Sequence, residues 1–176
     1  LSCPHCHEKV PKEWAPATGE SLPEEARHKI LAFSRRILNG GEITREIVHA
    51  LESQIRQYGP MEESAKALGI GYTCLGEKNK AEEFLLQARK ETQDDPEVLH
   101  NLLDVLFSRE KFSQAVEVGQ TLVDTLGSRA DDEDVGRLAL AYFALGRAEE
   151  AGKLLNNPDL DSRNSWVKQA RRKLNK

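Results

Sequence analysis

Apolar residues recur along this chain at steps of three and four, and the pattern repeats at intervals of 34 and 36 residues when Ala81, Ala115 and Ala151 are aligned. Steps of three and four place apolar side chains on one face of a helix. The alignment also brings three leucines and the residues after them into register: Leu68-Gly69, Leu102-Leu103 and Leu138-Ala139. A period of this length indicates stacked helix pairs, each burying its apolar face against a neighbour. We therefore predict an all-α fold, a superhelical repeat array of antiparallel helix pairs.

Short residues mark both the ends and the contacts of these helices. Leu75-Gly76 and Leu145-Gly146 lie where the first helix of a pair must end, since glycine adopts the left-handed conformation that closes a helix. The middle copy has no glycine there and uses residues 108–111 instead. Small side chains let two helix axes approach closely, and they occupy six positions of the array: Gly69, Ala81, Ala88, Ala115, Ala139 and Ala151.

The pattern resembles the tetratricopeptide repeat. The Leu-Gly, Tyr, Gly and Ala positions of that family match best in residues 62–95 and 132–160, and the looser middle copy, 96–131, carries Phe112 three residues before Ala115. No copy has the tryptophan that often stands near the start of the first helix, and a proline between copies is clear only at Pro96. The resemblance covers a little over half of the chain, and the competing interpretation is a plain helical bundle.

Four regions are predicted along the chain. Residues 1–22 contain two cysteines and two histidines without a helical period, and are expected to be irregular. Helices starting at Pro23 and spanning Glu42 to Gln57 are expected to form a degenerate pair. The regions are 1–22, the irregular Cys/His segment; 23–60, the degenerate helical pair; 61–161, the three repeats; and 162–176, a capping helix, with Asp161 or Ser162 at its start and a stripe of Trp166, Ala170 and Leu174.

Composition and charge exclude several classes of function. The 176 residues are 39% hydrophobic and 31% charged, as is usual for a globular helical protein. A net charge of -4 argues against general nucleic-acid binding, which needs a basic face. The sequence has no apolar run long enough to span a membrane. Met61 is the only methionine, so we expect Leu1 to be a terminus left by processing or a cloning boundary.

The resemblance implies that the first helix of each pair lines a concave groove, where a protein or peptide partner binds, alone or as part of a larger complex. Its apolar positions, with a few polar anchors, suit an amphipathic helix or an extended peptide. The candidate groove residues are Lys66, Ile70 and Thr73; His100, Asn101, Asp104 and Phe107; and Arg137, Leu140 and Phe143.

Some family members hold a peptide's terminal carboxylate with lysine, asparagine and arginine side chains. Lys66, Asn101 and Arg137 match three of those places. Ile70 stands where the family has asparagine, and Glu133 where it has a cation. Because Glu133 would repel a carboxylate, ordinary surface residues are the favoured interpretation.

The sharpest chemical motif is Cys3-Pro4-His5-Cys6-His7. Two thiols separated by two residues and followed by histidine are typical of covalent haem c attachment, with Cys3 and Cys6 bound to the haem and His7 to the iron. A sixth ligand would come from His28, His49, His100, Met61 or a neighbouring chain. Because such attachment happens outside the cytoplasm, this interpretation favours a periplasmic or extracellular electron-transfer or docking component.

The alternative is a zinc site in a cytoplasmic scaffold or regulator. Cys-Pro-x-Cys resembles one knuckle of a zinc ribbon, which would bind Zn2+ through Cys3, Cys6 and His7. The expected second knuckle has lost its cysteines at Ala15 and Thr18. A redox-active pair and an unused or crosslinked tail are the remaining interpretations, and Cys74 is expected to be a small packing residue in its helix.

The sequence contains no Gly-rich phosphate loop, no serine elbow and no histidine-glutamate pair at metal-hydrolase spacing. The acidic run 131–134 lacks the glycine and spaced ligands of a calcium loop and is expected to start a helix. We therefore expect a protein-interaction scaffold rather than an enzyme, with a cofactor on its N-terminal motif.

Overall fold

The computed structural model describes residues 22–61 and 63–175, and every regular element in these ranges is helical. The N-terminal cysteine motif lies outside them. The prediction of an all-α fold is confirmed. The described residues form nine α helices in this order: α1 Glu24–Leu38, α2 Arg45–Tyr58, α3 Ser64–Cys74, α4 Lys78–Thr92, α5 Pro96–Ser108, α6 Phe112–Leu126, α7 Asp132–Ala144, α8 Ala148–Leu155 and α9 Ser165–Leu174, with a short 3-10 helix at Gly127–Arg129 between α6 and α7.

The chain divides into two compact units between Thr92 and Gln93. In the first unit, α3 packs on α4, and α1 packs on both α2 and α3. The small residue Gly69 permits the tightest of these contacts, because a Cβ there would lie 2.7 Å from the side chain of Leu85. The largest fully buried residues of this unit are Ile30, Ile37, Leu51, Ile55, Leu68, Tyr72 and Leu85.

The second unit contains α5 to α9. Helix α5 packs on α6, and α7 lies in the middle, in contact with α5, α6, α8 and α9. Its position explains why nine of its thirteen residues, from Asp134 to Tyr142, are buried without interruption. The largest fully buried residues of this unit are Leu99, Leu102, Leu103, Leu106 and Leu122.

The first helix of each pair ends in the same backbone turn. Gly76 and Gly146 both have φ of 73°, and Glu110 takes the equivalent place in the middle copy with φ of 58°. The residue after each of them donates a backbone hydrogen bond across the turn: Glu77 N to Tyr72 O, Lys111 N to Leu106 O and Arg147 N to Tyr142 O, at 2.9–3.0 Å. These are the bonds of a Schellman motif. The glycine prediction is therefore confirmed, and the middle copy forms the turn without glycine.

Two helix starts differ from prediction. Helix α2 begins at Arg45 rather than Glu42, because the Thr44 side chain accepts a hydrogen bond from Ile47 N and so caps the helix there. Helix α9 is capped by Asn164, whose side chain accepts from Trp166 N and Val167 N at 2.9 and 3.2 Å. Asp161 and Ser162 precede this cap, so both proposed caps were wrong.

Two side chains are also more exposed than predicted. Val167 and Ala170 form the buried side of α9, whereas Leu174 is 41% exposed and does not extend the predicted stripe. Cys74 is a free and exposed thiol, so its assignment as a packing residue was wrong. None of the helices in the described residues combines the length and apolarity that a membrane span requires.

Candidate binding surface on the second unit

The acidic start of α7 follows directly from its sequence. Asp131 caps the helix through a hydrogen bond from Glu133 N at 2.9 Å. Asp132, Glu133 and Asp134 occupy the first turn, where carboxylates interact favourably with the helix dipole. The prediction that residues 131–134 start a helix is confirmed, and the helix aims two of these carboxylates at side chains that the sequence placed in the groove.

Those side chains form a charged cluster, which consists of His100 and Asp104 from α5 and Glu133, Asp134 and Arg137 from α7. Arg137 is at its centre, with only 7% of its side chain exposed. Its Nη2 lies 3.1 Å from Asp104 Oδ1 and also donates to Glu133 Oε1, while Nη1 lies 3.6 Å from Asp134 Oδ1. Its buried Nε and Nη1 have no hydrogen-bond acceptor among the described residues.

His100 completes the cluster from the α5 side. Its Nδ1 lies 2.9 Å from the Asp134 carboxylate, which is almost fully buried. The hydrogen bond to Asp134 raises the pKa of His100 above its usual value, although burial and the nearby charge of Arg137 act in the opposite direction. With three carboxylates around one guanidinium, the cluster keeps a net negative charge whether His100 is neutral or protonated.

The cluster is open to solvent at its edge. The side chains of His100, Asp104 and Glu133 are 43%, 37% and 40% exposed, so their remaining hydrogen-bonding capacity faces outward. A partner can therefore reach these three groups, while Asp134 and Arg137 hold them in place from below.

Trp166 of α9 borders the cluster. The Cζ atom of Arg137 lies 4.8 Å from the centroid of the Trp166 ring, a cation–π distance. The same ring meets Phe107 edge to face at 5.6 Å, and Phe107 also meets Phe112 at 5.7 Å. We name this region the α5–α7 face: the charged cluster together with Phe107 and Gly136.

Gly136 makes room for the tryptophan. A Cβ at Gly136 would lie 2.6 Å from Trp166 Cβ and 2.8 Å from the Trp166 carbonyl carbon, so only glycine fits there. Sequence reasoning missed this contact. The available signal was a glycine in the middle of a helix, far from any turn.

The remaining predicted groove residues are less available for contact with a partner. Asn101 Nδ2 donates to Glu97 O at 2.8 Å within its own helix, and Thr73 Oγ1 donates to Gly69 O at 2.9 Å. Leu140 and Ile70 are buried, and Phe143 is half-buried. Lys66, Ile70 and Thr73 belong to α3 of the first unit, whereas the other seven belong to α5 and α7 of the second.

The carboxylate-clamp residues do not have the character of a clamp in the second unit. Arg137 is held by carboxylates of its own chain, including Glu133. Asn101 is bonded to its own backbone. An incoming carboxylate would therefore meet Asp104 and Glu133 before it met a free cation.

The first unit contains a polar network that the sequence did not reveal. Tyr72 Oη donates to Glu52 Oε2, and Lys80 Nζ lies 3.0 Å from the same oxygen and 3.1 Å from Tyr72 Oη. Arg56 donates to Glu52 Oε1 through Nε and Nη2, at 3.1 and 2.6 Å. Burial alone would raise the pKa of Glu52, but the hydrogen bonds from Tyr72, Arg56 and Lys80 outweigh it and lower the pKa to about 2.

Cys3, Cys6 and His7 lie outside the described residues, so their arrangement stays a prediction. Of the candidate sixth haem ligands, His28 and His49 are exposed, Met61 is half-buried and His100 is paired with Asp134. Within residues 22–61 and 63–175, no three His, Cys, Asp or Glu side chains are grouped as metal ligands.

Comparison with solved structures identifies the architecture. A structure of a MamA mutant matches this chain with a TM-score of 0.64 and 18% sequence identity, over 83% of this chain and 83% of that chain. The fold is that of a TPR-like helical repeat protein. At this level of identity the likeness concerns the fold. No protein-family model and no curated protein sequence matches the chain.

Proposed function

We propose that the chain is a non-catalytic protein-interaction scaffold, and that the α5–α7 face of its second unit binds a helical or extended peptide of a partner. The observation that carries this proposal is the charged cluster: exposed groups of His100, Asp104 and Glu133 fixed in place by buried Asp134 and Arg137. A fixed set of polar groups beside half-buried aromatic side chains provides both orientation and affinity.

The electrostatics of the face indicate the partner's chemistry. The carboxylates outnumber the cations, so the contacting segment is expected to be basic, and complementary charge speeds association and selects against acidic partners. Phe107 adds an apolar contact beside the cluster. A basic segment with at least one large apolar side chain fits both features.

The test uses a variant that keeps the shape of the cluster and removes its exposed charge. Asp104→Asn together with Glu133→Gln leaves amide oxygens that still accept from Arg137. The matched control, Glu83→Gln with Glu149→Gln, removes the same charge from exposed positions elsewhere. A partner isolated with the wild-type protein should bind the cluster variant at least tenfold more weakly in 0.1 M salt and bind the control normally. Equal affinity for both variants would refute the assignment.

We further propose that Cys3, Cys6 and His7 carry a covalently attached haem c, which would make the chain a periplasmic or extracellular electron-transfer or docking component. The support is the complete Cys-x-x-Cys-His spacing. The test is the absorption spectrum of protein from its native host, recorded oxidised, reduced and denatured. Covalent haem should survive denaturation and be absent from a Cys3→Ser, Cys6→Ser variant. A colourless native protein would refute this proposal, and bound zinc would then support the cytoplasmic alternative.

A further inference from the structure

Helix α9 is placed differently from the other helices of the second unit. Of the two helices in the preceding pair, α7 packs more on the second, α6, than on the first, α5. Helix α9 does the reverse, packing mainly on α7 and less on α8. Its Trp166 also reaches Phe107 of α5. Helix α9 therefore lies over the first helices of two pairs, on the side where the proposed partner binds.

Helix α9 packs closely on α7, but few of its side chains are buried. Of its ten residues only Val167 and Ala170 are buried, and Trp166 is half-buried. Two further hydrogen bonds tie this part of the chain to the rest of the unit: Arg171 Nη2 to Leu155 O at 3.2 Å, and Asp161 N to Asp132 Oδ2 at 2.9 Å. Elements with so little buried apolar surface open at a lower free energy than the core does.

The connection between α8 and α9 permits such opening. Residues 156–164 contain no α helix, and Asn156 to Asp159 are all exposed. Leu160 is the one buried apolar residue in this stretch. Helix α9 can therefore leave α7 without unwinding α8.

The chemistry of α9 matches the partner class derived above. It presents Trp166 to Gly136 and Arg137, and it carries four cations, Lys168, Arg171, Arg172 and Lys173. Trp166 lies next to the charged cluster, in which carboxylates outnumber cations. An aromatic anchor, a small apolar stripe and a basic exposed side are the features that a ligand of this surface needs.

We propose that α9 is a built-in occupant of the partner surface, and that the partner is a basic amphipathic helix that inserts its own aromatic side chain against Gly136 and Arg137 when α9 is displaced. The inference rests on the proposed function of the α5–α7 face and specifies both its ligand and its regulation. The tethered helix competes at a high effective concentration, so the surface binds weakly until α9 is loosened or the partner is abundant.

The first test measures binding of a fluorescent peptide with the sequence of residues 161–175 to the full-length protein by anisotropy. Trp166→Ala in the protein weakens its own α9, so this variant should bind the peptide at least tenfold more tightly than wild type does. A scrambled peptide of equal charge and a peptide with alanine at the Trp166 position should bind neither. A Trp166→Ala variant that keeps its helical content but does not bind the peptide would overturn the proposal.

A second measurement covers the possibility that Trp166→Ala impairs folding. In wild-type protein, an excess of the unlabelled peptide should speed hydrogen exchange of the amides of α9 at least tenfold and leave those of α7 protected. Unchanged exchange in α9 at saturating peptide would show that α9 is a fixed part of the unit.

The two proposals fail in different ways. If an isolated partner loses affinity for the Asp104→Asn, Glu133→Gln variant but binds Trp166→Ala and wild-type protein equally, the face is a binding surface and α9 is not its competitor. If the peptide binds Trp166→Ala but the partner binds the Asp104→Asn, Glu133→Gln variant as tightly as wild type, then α9 can be displaced and the partner binds elsewhere.

Discussion

Tyr72 in the first unit and Tyr142 in the second occupy the same repeat position, and each donates its hydroxyl hydrogen bond to a different type of acceptor. Tyr72 donates its hydroxyl to Glu52, and Tyr142 donates to Gln120 at 2.9 Å. A cation lies over each ring at 4.6 Å, Lys80 in the first case and Arg147 in the second. In both units the acceptor lies on the second helix of the preceding pair, Glu52 on α2 and Gln120 on α6. Either a carboxylate or an amide can therefore serve as the acceptor.

The choice changes where each unit keeps its charge. In the first unit, Glu52 is buried and receives hydrogen bonds from Tyr72, Arg56 and Lys80, which makes a closed network. In the second unit the tyrosine partner is neutral, and the buried charges lie instead in the charged cluster, whose edge is exposed. A closed network serves stability, whereas an open one keeps hydrogen-bonding capacity for a ligand.

Removing the two acceptors should give the largest contrast. Glu52→Ala leaves the buried Tyr72 hydroxyl without its acceptor and Lys80 without its counter-charge, so the free energy of unfolding should fall by about 3 kcal/mol. Gln120→Ala removes one neutral acceptor at a partly exposed site and should cost about 1 kcal/mol. Urea denaturation followed by circular dichroism measures both values. Equal losses in the two variants would show that the charge of Glu52 does not contribute to the free energy of unfolding.

The second-largest effect is the loss of stability at low pH, which should occur with the carboxylate acceptor Glu52 and not with an amide acceptor such as Gln120. The folded-state pKa of Glu52 is lowered from 4.5 to about 2. Its stabilisation is therefore fully present above pH 4.5 and disappears as the pH falls towards 2. A difference of about 2.5 pKa units corresponds to about 3 kcal/mol, as an upper bound. Denaturation curves from pH 6 to pH 2 should show this loss in the wild type and a smaller one in Glu52→Gln, whose amide does not titrate.

Two helical glycines of the second unit should respond oppositely to alanine. A Cβ at Gly136 would meet Trp166 and backbone atoms at 2.6–2.8 Å, whereas at Gly152 it would meet only Leu174 Cδ1, at 3.4 Å. Gly136→Ala should therefore lower the unfolding free energy by about 2 kcal/mol or release α9. Gly152→Ala should raise it by about 0.5 kcal/mol, because alanine favours the helix. Thermal unfolding and the fluorescence of Trp166 measure these effects. Equal changes in the two variants would contradict the prediction.

The smallest effect should have the opposite pH dependence to that of Glu52. The hydrogen bond to Asp134 raises the folded-state pKa of His100. Its stabilisation is complete below the unfolded-state pKa and is lost as the pH rises through the folded-state pKa. Solvent screening at this half-exposed site keeps the contribution small. A proton NMR titration should place the midpoint of His100 above its unfolded-state value, and Asp134→Asn should lower it. A midpoint unaffected by Asp134→Asn would contradict the pairing.

Sequence reasoning predicted those parts of the fold that local chemistry determines. Glycine at a helix end, small residues at close contacts and carboxylates in a first turn act within a few residues of the chain, and Gly76, Gly69 and Asp132 all behaved as expected. The family resemblance named His100, Asp104 and Arg137 as groove residues, and the structure places them together in the charged cluster of α5 and α7. That this cluster binds a partner stays a prediction.

What could not be predicted depends on contacts between distant residues. Trp166 was expected in the apolar stripe of a capping helix, but its ring lies against Phe107 and Arg137 because Gly136 leaves space for it. The Glu52 network joins residues 20 and 28 positions apart. No spacing rule identifies either pair, since helical periodicity gives the face of a residue and not its partner on another helix.

The three identical turns at Gly76, Glu110 and Gly146 have a consequence for how such a chain can change over time. Their hydrogen bonds run between backbone atoms only, and Glu110 shows that even the glycine is dispensable. The joint between two helices is thus indifferent to most substitutions around it. Mutations can accumulate on the helix surfaces, where the proposed binding surface lies, while the joint continues to set the path of the chain.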